Sequence, residues 1–479
     1  MGAPRGRRDL LLFAAVLVLF AAGLVRQLGV DAPLGPDEAI YATGGREVTD
    51  GVPASAYGLH RPVGMKWLAA PGVAAGGSEA ALRVLGVLCS LGFLVAYRAF
   101  GARVAGPWPA AWAAAAMATS FGFMRRGGEL LSDVPSLLLL VLVLHLVVRE
   151  LDRPSARPGA ALLAIAPLAA AAFYVRYGVT SALAGAVGAA GAIWWRSIAE
   201  GWRVALATAA LFVLLLLPHV LHSLGETGSA LGILEVSGAA AHRAYLGDGL
   251  VHFPLALVAE GGPIVTALLI AGLVHGARRL RGRREPAIAF VWLASVFQIV
   301  ATGLMVHAEF RYFFFGVVGL VLLGARAACQ WAAGRRRAGP IAAAVVLLAF
   351  VVTHEVNVRR YRRLAAVRDV EAGAGRLITG EARAERCWVL TSEVPAVGWY
   401  SRCTARPVHT RPDRLPSGRR FLVLFERDPA SEAAAERIVR THTLVPIGRV
   451  RDPVGHFGDA HVHEIRARDS VQGHERRGR

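Results

Sequence analysis

The chain has 479 residues, 55% of them hydrophobic, four cysteines and a formal charge of +19, with a mean hydropathy of +0.46 and a pI near 11.0. Soluble globular proteins are about 45–50% apolar, and disordered chains are poorer still in apolar residues, so both classes are excluded. The charge is not a nucleic-acid footprint, because the cations sit between long apolar runs. The composition is that of a polytopic membrane protein, whose first partner is the lipid bilayer. Lys66 is the single lysine, and the Arg, Ala and Gly surplus reads as GC-rich coding.

About 20 apolar residues rising 1.5 Å each cross the ~30 Å hydrocarbon core. Eleven runs approach that length, near residues 10–29, 82–100, 107–124, 131–149, 159–176, 178–195, 203–222, 254–276, 286–306, 311–331 and 340–357. The first follows Arg5, Arg7 and Arg8. It lacks a small-x-small cleavage site and reads as an uncleaved anchor. Alternate connections carry Arg98/Arg103, Arg149/Arg153/Arg157, Arg196/Arg203, Arg278–Arg284 and Arg326/Arg335–Arg337, which with the N-terminal three makes 19 arginines on one side. The positive-inside rule makes that side, and the N-terminus, cytoplasmic. Eleven spans then put the C-terminal segment outside.

The first external loop, about 30–81, is too polar to cross the bilayer. It contains Gly35-Pro36-Asp37-Glu38-Ala39-Ile40-Tyr41-Ala42 and His60-Arg61-Pro62-Val63-Gly64-Met65-Lys66-Trp67, and closes on Ser78-Glu79-Ala80-Ala81-Leu82-Arg83. Asp37 and Glu38 open a helix, where acids are also ordinary dipole partners. Arg61 and Lys66 could equally snorkel to headgroups, and Arg83 could pair with Glu79 four residues earlier. Other loops on the same side repeat the theme. Arg125-Arg126-Gly127-Gly128-Glu129 leads into Ser132-Asp133-Val134-Pro135, and His307-Ala308-Glu309-Phe310-Arg311-Tyr312 precedes the tenth span. Arg176 and Tyr177 lie on that side too. Asp133 stands at a span entrance, where a carboxylate is costly unless paired or hydrated, although it also suits a helix start. His60 and His307 read as interfacial polar residues.

From about Leu364 the chain turns polar. Short apolar runs at 387–391, 421–425 and 462–465 read as strands, and 431–441 reads as a helix between them. The expected organisation is a mainly α, polytopic membrane helix bundle over 1–363. A small extracytoplasmic α/β domain follows over 364–468, with a disordered tail at 469–479. Outside the cytoplasm a disulfide between Cys387 and Cys403 is favoured over two separate buried thiols. Cys89 and Cys329 fall in apolar spans and read as small core residues.

The order Asp-Glu-Ala-x-Tyr-Ala, Arg-Pro, Leu-Arg at the second span, Arg…Ser-Asp-Val-Pro and a late Arg-Tyr resembles the GT-C glycosyltransferases. Within them it is most similar to the branch of protein O-mannosyltransferases and the aminoarabinose transferase of lipid A. The resemblance spans roughly residues 10–330, and the Asp-Glu motif is its most specific part. It implies a GT-C-like bundle and a sugar donor carried on polyprenyl phosphate. The acceptor would be an extracytoplasmic protein, lipid or polysaccharide. On this resemblance Asp37 is the catalytic base with Glu38 beside it, Asp133 matches the second acidic position, and Arg311, followed by Tyr312, resembles the late arginine near the lipid phosphate. Arg61 stands where the family often has Lys-Pro-Pro. Arg61, Lys66, Arg83, Arg126 and Arg311 are then the candidate cations for the leaving phosphate. No His/Asp/Glu spacing suits a metal, so none is expected, although some GT-C enzymes use a divalent cation. The competing reading is a transporter or lipid flippase. It predicts internal repeats and mid-membrane charges, whereas here the sequence shows no repeat and its charges gather at one interface.

Overall fold

The computed structural model describes residues 5–55, 57–152, 159–239, 243–282, 285–307, 309–335, 337–382 and 385–468. The tail read from sequence as disordered, 469–479, lies outside the described residues. The helices are α1 (Arg5–Leu28), α2 (Pro36–Asp50), α3 (Gly64–Ala74), α4 (Glu79–Val104), α5 (Pro107–Ala118), α6 (Phe121–Gly127), α7 (Asp133–Leu151), α8 (Ile165–Val175), α9 (Thr180–Glu200), α10 (Trp202–Thr227), α11 (Gly232–Ala239), α12 (Asp248–Ala256), α13 (Gly262–Gly282), α14 (Pro286–Met305), α15 (Phe314–Ala332), α16 (Ala338–Ala382), α17 (Val394–Ser401) and α18 (Pro429–Val439). Among the described residues, nine helical segments are long and apolar enough to cross a membrane. This is a multi-pass membrane protein. The two remaining sequence runs are built differently. The run at 159–176 becomes the shorter apolar helix Ala160–Val175. The run at 107–124 breaks at Thr119–Ser120, because Ser120 accepts the Phe123 N–H (3.3 Å) and so starts a new helix.

Contacts divide the chain into two compact units. The first comprises Met1–Arg26, Leu59–Gly64 and Gly86–Asn357, the second Gln27–Gly58, Met65–Leu85 and Val358–Arg479. In the first, α13 packs along α15 and α14 along α9. Its core is built from Phe, Leu, Val and an alanine run, with Ala113–Ala118 of α5 fully enclosed. A helix apolar all round belongs in such an interior. Arginines of several of the basic connections are held by acids and carbonyls of this bundle. Arg98 pairs with Asp9 (2.5 Å), Arg326 donates to the Val104 carbonyl (3.0 Å), and both Arg326 and Arg279 pair with Glu285 (2.7 and 3.2 Å). Asp133 and Arg149 stand at opposite ends of α7.

The second unit holds five strands, β1 (Cys387–Thr391), β2 (Thr404–Pro407), β3 (Arg419–Phe425), β4 (His442–Val450) and β5 (Ala460–Ala467), in the order β2-β1-β3-β5-β4. β1 runs parallel to β2 and β3, while β5 runs antiparallel to β3 and β4. One face buries Val389, Phe421, Val423 and Val462 under Val370, Ala374 and Ile378 of α16. The other buries Leu390, Leu422 and Ile465 under Ala434 and Ile438 of α18. Cys387 and Cys403 form a disulfide that joins β1 to the entry of β2. The sequence signal omits β2 and β4. β2 has only four residues, and β4 carries Pro446 and Gly448, where its register with β5 shifts and the apolar alternation is lost.

α16 explains how the C-terminal sheet is attached. Its apolar part ends at Asn357, the sequence continues Val-Arg-Arg-Tyr-Arg-Arg, and the helix runs unbroken to Ala382. Apart from Leu59–Gly64, the segments between α1 and α4 also belong to this unit. α2 packs against α17, Arg46 lies over the Trp399 ring (4.1 Å) and donates to its carbonyl (2.9 Å), and Ser55 accepts the Ala405 N–H (2.9 Å). The Trp399-Tyr400-Ser401 sequence is the surface that receives the first loop.

Candidate active site

The expected site residues fall into two groups, one in each unit. In the second unit Pro36 pre-sets the first turn of α2, and Asp37 and Glu38 are its acidic residues. Glu38 turns back to accept the Gly35 N–H (2.9 Å), which caps the helix. Its carboxylate is also gripped by Arg83, with Nε to Oε1 at 2.8 Å and Nη2 to Oε2 at 3.0 Å. Arg83 also donates to the Ala32 and Pro33 carbonyls (2.6 and 3.1 Å). A second cation, Arg368 of α16, approaches Glu38 Oε2 (3.5 Å) and donates to the Pro33 carbonyl (3.3 Å). A Cβ at position 35 would lie 2.5 Å from Arg368 Nη2, so any larger residue there would push that guanidinium aside. Glu38 and Arg83 are each 1% exposed. Burial would raise the Glu38 carboxyl, but Arg83, its hydrogen bonds and Arg368 outweigh it and hold the group at about 2.

Asp37, the neighbouring residue, keeps partial exposure. The loop before it is fixed from the other side by Tyr400, whose hydroxyl accepts the Leu34 N–H (2.8 Å) and donates to Glu79 Oε1 (2.8 Å). Glu79 is thus engaged by Tyr400, and Arg83 pairs with Glu38 instead of with Glu79. Lys66 pairs with Glu47 (2.5 Å) and stands over the Tyr57 ring (4.5 Å). Within this group Arg83 is 1% exposed and its bonds go to Glu38 and to two backbone carbonyls, while Lys66 is only partly enclosed.

The second group lies in the first unit around Asp133. Arg176 Nη1 meets Asp133 Oδ1 at 2.6 Å, and Arg311 Nη1 meets Oδ2 at 3.9 Å. Both guanidinium groups stand 5.2 Å from the Tyr312 ring, and the Tyr312 carbonyl accepts from Gln298 (2.8 Å), which fixes that turn. Arg311 also pairs with Glu309 (2.5 Å). Arg125 and Arg126 share Glu129 (3.7 and 3.1 Å), and Arg126 feels the charges of Arg311 and Asp133. The carboxylates of Asp133 and Glu129 are 1–2% exposed, whereas the side chains of Arg126, Arg311 and Arg176 are 11–18% exposed. Buried acids therefore orient cations whose outer donors remain accessible. Arg61, partly exposed, rides on the 59–64 segment, whose Gly64 lies against the Tyr174 carbonyl.

Sequence reasoning missed Arg368, Tyr361, whose ring lies 5.4 Å from the Arg83 guanidinium, and the role of Tyr400. Arg176 was legible only as a residue on the same face. Spacing carries no signal for contacts this distant in sequence. His307 is more than an interfacial residue, for with His252 it shares the buried Asp248 (2.8 and 3.3 Å). Among the described residues no group of three or more His, Cys, Asp or Glu could hold a metal ion.

No protein-family model matches this sequence, and no curated protein matches it. Solved structures do. ArnT from Cupriavidus metallidurans in the apo state superposes with a TM-score of 0.67 at 15% identity, covering 96% of this chain and 98% of that one. This chain has the ArnT fold. ArnT from that organism bound to undecaprenyl phosphate gives a TM-score of 0.69 at 13% identity over the same shares. The archaeal oligosaccharyltransferase AglB from Archaeoglobus fulgidus, in complex with an inhibitory peptide and a dolichol-phosphate, gives 0.56 at 12% identity, covering 93% of this chain and 74% of that one. The helix bundle expected from the GT-C resemblance and the C-terminal sheet expected from local periodicity are both observed, and the ArnT fold covers 96% of the chain.

Proposed function

We propose that this chain is an integral membrane glycosyltransferase that moves a sugar from a polyprenyl-phosphate donor to an extracytoplasmic acceptor. The observation that carries the reading is the first turn of α2. A partly exposed carboxylate, Asp37, stands beside one that is buried and neutralised by two guanidinium groups. Glu38 holds the turn, and Asp37, partly exposed on that turn, is the proposed proton acceptor. The acceptor's O–H or N–H attacks the anomeric carbon as Asp37 takes its proton, general base catalysis worth typically about 10²–10⁴-fold. The bond from that carbon to the phosphate oxygen breaks in the same step, inverting the centre and releasing polyprenyl phosphate. This leaving group is a weak base and needs charge stabilisation more than protonation. Arg126, Arg176 and Arg311 supply donors of that kind, with Arg61 and Lys66 as further candidates and Tyr312 and Asp133 as their supports.

The undecaprenyl phosphate of the ArnT complex and the dolichol-phosphate of the AglB complex support a polyprenyl-phosphate donor by analogy of fold. The acceptor belongs to the classes read from sequence, protein, lipid or polysaccharide. The reading places the protein in the inner or plasma membrane, with the N-terminus cytoplasmic and the C-terminal sheet outside. A reporter active only outside the cytoplasm, fused after Arg468, is expected to be active, and a silent fusion reverses the orientation. The catalytic assignment is tested in membranes supplied with labelled polyprenyl-phosphate sugars. Asp37→Asn is expected to lower transfer by about 10²-fold or more, and transfer at the wild-type level would refute it.

A further inference from the structure

The first unit contains a feature that glycosyl transfer does not use. A cavity of about 540 Å³ opens between α5, α13, α15 and α16. Ala116, Leu268, Ala325, Cys329, Ala342 and Val346 line it, drawn from four different helices. The small side chains that α15 and α16 present to the cavity leave the space between them unfilled. The apolar part of α16 is little enclosed by protein here, with 11% of it buried. Tryptophans mark the mouth, with Trp108 and Trp331, both lining residues, 39% and 67% exposed. Exposed tryptophan at the end of apolar helices sits at the membrane–water interface, so the cavity opens at headgroup level and extends toward the bilayer interior.

One lip is formed by Ala333 and Ala338, and among the described residues between them stand Arg335 and Arg337 and no acid. Arg335 and Arg337 are exposed. The Arg335 guanidinium lies 4.1 Å from the Trp331 ring and bonds the Trp331 carbonyl, which stations it at the mouth. Arg326, on the same helix as Trp331, is taken up by Glu285 and the Val104 carbonyl, so the lip cations are a separate population. An apolar groove in a membrane-spanning bundle admits hydrocarbon, and a basic lip selects an anionic headgroup above it.

We propose that this groove is a binding site for a glycerophospholipid with an anionic headgroup, one acyl chain lying along Ala325, Ala342 and Val346 and the phosphodiester facing Arg335 and Arg337. It is distinct from the donor site and independent of the glycosyltransferase reading. The test uses the full-length protein, delipidated in detergent and titrated with dioleoyl phosphatidylglycerol, dioleoyl phosphatidylcholine or undecaprenyl phosphate, with bound lipid counted by native mass spectrometry. Phosphatidylglycerol is expected to bind about tenfold more tightly than phosphatidylcholine, the scale that two nearby arginines give an anionic headgroup. Ala342→Phe fills the groove and is expected to lower occupancy by either phospholipid about tenfold. The double variant Arg335→Gln/Arg337→Gln, on an exposed turn that leaves the bundle core untouched, is expected to retain phospholipid while losing the preference for phosphatidylglycerol. Equal binding of the two phospholipids by the wild-type protein overturns the proposal, as does an unchanged preference in the double variant. Displacement of phosphatidylglycerol by equimolar undecaprenyl phosphate also overturns it and assigns the groove to a polyprenyl chain.

Discussion

The charge clusters around Glu38 and around Asp133 use the same residue types for different ends. Around Glu38 every group is enclosed, Arg83 makes four hydrogen bonds to protein, and Arg368 closes the cluster. Around Asp133 the acids are buried but the guanidinium groups reach outward. Charges saturated by protein fix a backbone, whereas charges saturated on one side only can still meet a ligand. A buried pair is costly to assemble and costlier to break, which makes the first cluster a structural lock. The second remains solvated enough to exchange partners.

The largest expected effect breaks the lock. Glu38→Gln or Arg83→Met leaves a buried charge unmatched and should cost about 3–5 kcal/mol of stability, read as a large fall in Tm in detergent. Asp37→Asn, one residue away and partly exposed, should leave stability within about 0.5 kcal/mol of wild type while lowering transfer by about 10²-fold or more. If Glu38→Gln is as stable as Asp37→Asn, the contrast between the clusters fails.

The next effect concerns the second cluster. Arg311→Gln or Arg126→Gln removes a charged hydrogen-bond donor worth about 1.5–3 kcal/mol. The donor KM should therefore rise about ten- to hundredfold, with little change in Tm. A large loss of stability without a change in KM would make this cluster a second lock. A smaller effect is expected at Arg368. It contacts Glu38 at 3.5 Å, longer than the Arg83 bonds, so Arg368→Gln should cost about 1–3 kcal/mol. Arg368→Lys should recover part of that by keeping the charge. Transfer should fall through kcat more than through KM, because the variant loosens the turn that carries Asp37 and leaves the Asp133 cations in place.

Much of this was readable in advance for physical reasons. Apolar run length fixes spanning helices one segment at a time, and the strand at 387–391 and the helix beginning near 430 follow from local periodicity. The capping role of Glu38 is local as well. The lock was not legible, because Arg368 lies 330 residues from Glu38 and reads in sequence as one more arginine in a basic helix. The same distance hid the association of the segment around α2 with the C-terminal sheet, which depends on Arg46, Ser55 and Tyr400 meeting partners hundreds of residues away. Asp133 and Arg311 were legible by type, but their pairing with Arg176 was not.

A second buried carboxylate in the same unit gives the contrast a pH signature. Glu371 lies one turn beyond Arg368 on α16, outside the apolar part of that helix, and is 3% exposed with its Oε2 making no hydrogen bond. Burial, followed by repulsion from Glu393, pushes its carboxyl up to about 8 against the partial opposition of Arg368. Glu38, with two cations in contact, is driven the other way, to about 2. The signs of their contributions therefore differ. Glu38 has a depressed folded value, so its contribution is present above about 4.5 and is lost as pH falls toward 2. Glu371 has a raised folded value. Between 4.5 and about 8 the folded chain holds a proton that the unfolded chain has released, so stability falls as pH rises through this range and levels off above it. Thermal unfolding of the full chain from pH 5 to pH 9 is expected to show that decline, and Glu371→Gln, which carries no titrating proton, should flatten it while leaving the acid limb below pH 4.5 intact. Parallel slopes in the two proteins would mean that the Glu371 carboxylate is solvated, and that proximity to Arg368 neutralises it as Arg83 neutralises Glu38.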